Sequence, residues 1–114
     1  MQVLNGAGQA TPTDSTNWVE HLKVADLSCG TYSIAAGAAD PQDPHTEDEL
    51  YVCTRGQATL WTPTGSADVK AGTVVFVPAG EEHRFVDVQE DLTVLVMFGP
   101  AEYSRKPDGG ASPR

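Results

Sequence analysis

Positive charge is scarce in this sequence. Seven Lys and Arg stand against sixteen Asp and Glu, for a formal net charge of −9. So acidic a chain is poorly suited to a nucleic-acid backbone or an anionic membrane surface, and neither is expected as a partner. Long apolar runs are missing too: nothing approaches the roughly 18 residues of a membrane-crossing helix. The opening MQVLNGAGQATPTD has no basic start and no apolar segment of the secretory kind, so a cytoplasmic protein is expected. Cysteine is limited to Cys29 and Cys53. Two cysteines do not make the disulfide framework of a small secreted domain, and they are too few and too far apart for a cysteine-based zinc site. Free buried thiols are expected instead. Internal repeats, heptads and a capped helical period are also lacking. Trp18 to Val24 is the one helical candidate, and it reads equally well as a strand.

What is present is a succession of short strand-like runs. At 114 residues the chain fits one domain that buries roughly two-thirds of its unfolded surface. Leu27 to Ala35 is the first run. Glu49 to Trp61 follows, with Arg55-Gly56 placed as a hairpin turn inside it. Ala67 to Lys70, then TVVFVP, HRFVDV and LTVLVMF complete the set, the last pair separated by a turn at Asp91. Gly and Pro at Pro63, Gly65, Gly72, Pro78, Gly80 and Gly99-Pro100 punctuate the runs, and β-branched and aromatic residues fill them. The pattern predicts an all-β sandwich or barrel, with closure favoured because open hairpins leave apolar edges. Residues 1–16 read as a flexible or partly docked N-terminal arm, 17–103 as the single domain, and 104–114 as a disordered tail.

Acidic residues crowd one stretch: Asp40, Asp43, Glu47, Asp48 and Glu49. Solvated loop and cation site are both open readings until the histidines are considered. His21 has no ligand-like neighbours. His45 lies in the pattern Gly37, five residues, Asp43, Pro44, His45, three residues, Glu49, six residues, Gly56. His83 lies in the pattern Gly72, five residues, Pro78, Ala79, Gly80, two residues, His83, three residues, Asp87. Together these resemble the two motifs of the cupin superfamily, in order and in every spacing. Two departures are visible: Asp43 stands where that family has its first metal-binding His, and Asp87 where it has Asn.

The resemblance implies a jelly-roll β-barrel of roughly eight or more antiparallel strands. It also implies a metal held by His45, Glu49 and His83, with Asp43 at the fourth position. The residue types agree. Residues two apart on a strand share a face, so Asp43 and His45 are expected to point the same way, with Glu49, Tyr51 and Cys53 in the same parity and Phe85 in that of His83. Two imidazoles and a carboxylate suit one divalent transition metal per chain: iron, zinc or manganese. Asp43 is either a direct ligand or, being shorter than His, a nearby acceptor that leaves the metal open. Glu49 or Asp43 is placed to shuttle a proton, and Tyr51 to offer a phenol to substrate or simply to pack. Arg84 is expected to face out, Glu47 and Asp48 to be solvated, and Trp61, Leu95 and Met97 to be core. The expected function is a metal-dependent enzyme of dioxygenase, isomerase or lyase type acting on a small molecule. The alternative is a non-catalytic small-ligand or metal-binding module. Asn17 to Val24 carries apolar residues that one small barrel does not cover, so a homodimer is expected.

Overall fold

A computed structural model describes residues 1–12 and 14–105 of the chain. The tail expected over 104–114 therefore lies, from residue 106 onward, outside the described residues. These contain six strands and no helix: β1 (Thr16–Val24), β2 (Leu27–Ile34), β3 (Asp48–Thr62), β4 (Gly65–Lys70), β5 (Val74–Val77) and β6 (Arg84–Gly99). No helix among them is long and apolar enough to cross a membrane. Trp18 to Val24 is strand, paired along β2 with a bulge between Glu20 and Leu22.

All pairings are antiparallel, in the order β1-β2-β6-β3-β4. β5 lies on the first part of β3, opposite Glu49 to Val52, and β4 on the second, opposite Gln57 to Thr62. β6 runs along the other side of β3 for its whole length. Among the described residues no ladder joins β1 to β4, so the sheet is not closed by backbone pairing.

The turns expected at Arg55-Gly56 and at Asp91 are absent, and this is why six strands replace the expected eight or more. β3 and β6 run through these points as two long bent strands, with register shifts between Cys53 and Thr59. Gly56 makes the bend possible. Its φ is +89°, and a Cβ there would collide with the Asp91 carbonyl group of the crossing strand. Extra residues at a bulge also reverse which side chains face inward. In β3 the buried residues are Glu49, Tyr51 and Cys53 before the bend, and Ala58 and Leu60 after it. In β6 Phe85 is buried before Asp87, which has φ +49°, and Val88, Leu92, Val94, Val96 and Phe98 after it. Leu95 and Met97 therefore fall on the outer parity and are only half-buried, not core as expected. Trp61 is half-buried as well, lying under the Arg84 guanidinium at 5.1 Å. Arg84 faces out, paired to Glu82 at 2.8 Å.

β2 is buried on both faces. Tyr32 and Ile34 enter the core, while Thr31 on the other face accepts a hydrogen bond from the Gly8 backbone N–H at 2.8 Å. Thr54 and Thr93 donate to the Gly8 and Ala10 carbonyls at 2.5 and 2.9 Å. Residues 8–10 thus lie across this outer face. Both cysteines are free and buried, and burial pushes their thiols above the ordinary range.

Candidate metal centre

Three elements converge on one point inside the fold. β3 supplies Glu49, the connection between β2 and β3 supplies His45, and the residue before β6 supplies His83. All three are at most 2% exposed. One donor atom from each lies within 4.8 Å of the others. His45 Nδ1 is 3.4 Å, and His83 Nε2 3.1 Å, from Glu49 Oε1. Ligand atoms about 2.1 Å from a common ion, at right or tetrahedral angles, stand about 3.0–3.4 Å apart. The spacing and the donor chemistry therefore fit a divalent metal.

The far nitrogen of each ring is anchored. His83 Nδ1 donates to the Glu81 carbonyl at 2.8 Å, an oxygen that only accepts, so Nε2 is the nitrogen turned toward Glu49. His45 Nε2 lies 2.9 Å from Glu102 Oε2, which turns Nδ1 inward. Burial pushes the His83 pKa down, but the Glu49 carboxylate and the Glu81 carbonyl together raise it, and His83 ends above its ordinary value.

Tyr51 closes a second side of the centre. Its oxygen is 3.0 Å from His83 Nε2, and its hydroxyl donates to Gln42 Oε1 at 3.1 Å. Gln42 is held in that orientation because its Nε2 donates to Asp40 at 2.6 Å. Asp40 also accepts from the Tyr32 hydroxyl at 2.6 Å and from the Phe85 backbone at 2.9 Å. The phenol proton is thus directed at Gln42, and the Tyr51 oxygen faces His83 with its lone pairs.

The expected inward set of His45, Glu49, Tyr51, His83 and Phe85 is buried as predicted. Asp43 is exposed and stands outside the three-donor group. The shared-face argument for Asp43 and His45 assumed a strand, whereas residues 35–47 are irregular. Here Asp40, Gln42 and His45 turn in, and Asp43 and Pro44 turn out. Glu47, expected to be solvated, is 1% exposed and accepts the backbone N–H groups of Tyr103 and Arg105. Asp48 is exposed as expected and accepts from the Ala79 N–H at 2.9 Å. From the sequence, Asp40 and Glu47 were seen only as members of an acidic stretch, and Gln42 and Glu102 were not picked out at all, so none of Asp40, Gln42, Glu47 and Glu102 was assigned to the centre. The first three lie in the loop that period-two reasoning misreads. Glu102 follows the last strand, in a stretch with no patterned signal.

An antiparallel all-β fold around two imidazoles and a carboxylate defines the class of protein. The cupin-domain family profile matches residues 30–98, more than half of the chain, and the chain belongs to the cupin family. An uncharacterized protein of Streptomyces coelicolor, SCO3923, is 40% identical over 85 residues, covering 75% of this chain and 81% of its own. Among solved structures, the EutQ protein of Clostridium difficile superimposes with TM-score 0.72 at 16% identity, over 90% of this chain and 76% of that one. An RmlC-like cupin of Methanocaldococcus jannaschii, described as a double-stranded β-helix, gives TM-score 0.69 at 14% identity, over 78% and 84%. At these identities the two structures are similar in fold alone.

Proposed function

We propose that this cupin is a metal-dependent enzyme acting on a small molecule, by dioxygenase, isomerase or lyase chemistry. One divalent iron, zinc or manganese ion per chain would be held by His45, Glu49 and His83. The observation that carries this is the orientation of the rings: each is tied down through its far nitrogen, and the near nitrogens converge on one carboxylate. Lone pairs and negative charge gathered in this way are completed by a cation. When bound, the metal polarises a carbonyl or hydroxyl oxygen of the small molecule. The protein's own groups do the rest. The Tyr51 oxygen accepts a hydrogen bond from a donor on that molecule, and the Glu49 carboxylate oxygen not turned to the metal, Oε2, takes up or returns a proton. Phe85, Phe98 and Tyr103 exclude water. A closed jelly roll around this centre is part of the proposal; the bend shared by β3 and β6 supports it, while no ladder joins β1 to β4 among the described residues.

A second reading, a binding module without turnover, is favoured by one observation. The three donor residues are sealed from solvent, at 1–2% exposure. Elemental analysis of freshly purified protein tests for the metal, and an oxygen-uptake screen distinguishes dioxygenase turnover from the binding module. His45→Ala and His83→Ala are each expected to lose most of the metal; full retention in both would place the metal elsewhere. We further propose that two copies of the chain form a homodimer.

A further inference from the structure

We infer that Glu102 is a positioning residue of the metal centre: it holds His45 so that Nδ1, not Nε2, faces the ion. This rests on the metal-site reading above. An imidazole ligates through either nitrogen, and the hydrogen bond made by the other decides which. At His45 that bond goes to Glu102 Oε2 at 2.9 Å. The ring is also clamped. Tyr103 stacks on it at 5.0 Å and 22°, and Phe98 lies 4.6 Å away. A buried, clamped ring exchanges its two nitrogens only by leaving this contact.

The turn that carries Glu102 is built to hold it there. Its backbone N–H donates to Ser28 Oγ at 2.7 Å. The buried Glu47 carboxylate accepts the next N–H, that of Tyr103, and the N–H of Arg105. Tyr103 has φ +60°, a backbone state that a bulky side chain adopts only when its surroundings impose it. None of these turn residues lies in the family-matched segment, which ends at residue 98. His83 is oriented differently, by a backbone carbonyl, so the two rings present different nitrogens to one site. Glu102 also brings a second negative charge to a dication, through the ring of His45 rather than by direct contact. Asp43, exposed on the loop, does not supply it.

The test uses the full chain, zinc(II) and nitrogen-15 NMR of the histidine rings. In zinc-loaded wild type the metallated nitrogen of His45 should be Nδ1, and that of His83 Nε2. In metal-free protein at pH about 9, above the ordinary imidazole range, His45 should carry its proton on Nε2. Glu102→Ala should mix the two His45 tautomers and weaken zinc binding by about 10–100-fold in a chelator competition. Glu102→Gln should retain most of the affinity, because an amide oxygen still accepts from Nε2–H. Metallation of His45 at Nε2 in wild type, or unchanged tautomer and affinity in Glu102→Ala, would overturn the inference. The wild-type spectrum decides even if the alanine variant does not fold. Absence of zinc binding by wild type would instead defeat the metal reading, and the metal-free tautomer would still report on Glu102.

Discussion

His83 is pulled in two directions: burial disfavours its charge, the Glu49 carboxylate and the Glu81 carbonyl favour it, and the second pull prevails. Its folded pKa therefore lies above the unfolded value of about 6.5. In the metal-free protein the His83–Glu49 interaction contributes stability that is complete below about pH 6.5 and lost as pH rises through the folded value. Metal binding has the opposite slope, because the proton on Nε2 must leave, so affinity should fall as pH drops through that same value. Thermal unfolding with chelator present should show the advantage of wild type over His83→Gln shrinking toward alkaline pH; a pH-independent difference would contradict the account. Asp43 offers a second check. Its side chain is exposed, so Asp43→Ala and Asp43→His should both keep metal stoichiometry and affinity near wild type. Stripping of the metal by Asp43→Ala would make it a true ligand. His45, Glu49 and His83 were legible in the sequence because motif spacing survives any loop conformation. Gln42 and Glu102 were not, since their roles depend on how an irregular loop and a terminal turn fold back.

Strands were legible as elements from β-branched runs and Gly or Pro breaks, but not all of their joints were. Arg55-Gly56 has the composition of a hairpin turn, and only its partner strand shows otherwise. Asp91 lies against Gly56 from the crossing strand, so both chains bend together instead of reversing. The difference between a turn and a bend is a long-range contact, which local composition does not encode. Two glycines separate the costs at issue. Gly37 has φ +78° with nothing within 4 Å of a built Cβ, so Gly37→Ala bears only the backbone penalty, about 1–2 kcal/mol. Gly56→Ala adds a collision with backbone to a similar φ and should cost more, up to about 3 kcal/mol. Urea unfolding of both variants measures this. Equal costs would mean that the β3–β6 crossing is looser than described.

Considered whole, the molecule carries apolar side chains on two separate borders. On β1 and at the start of β2, Val19, Val24 and Leu27 are 38%, 52% and 42% exposed; on β5, Val74 and Phe76 are 56% and 60% exposed. Contact between β1 of one copy and β5 of the next would be heterologous and would extend into an open chain unless its rotation closed a ring, whereas β1 against β1 closes after two copies. The bulge at His21 interrupts the free edge of β1, so a continuous ladder across the two-fold is blocked and side chains make the contact. At net charge −9 each copy repels its twin, and salt screens that repulsion. The expected outcome is a homodimer by light scattering at micromolar concentration, tightening as salt is raised. Val24→Lys should shift it toward monomer, and Phe76→Lys should leave it a dimer. A monomeric wild type, or dissociation by Phe76→Lys alone, would move the interface away from β1 or remove it.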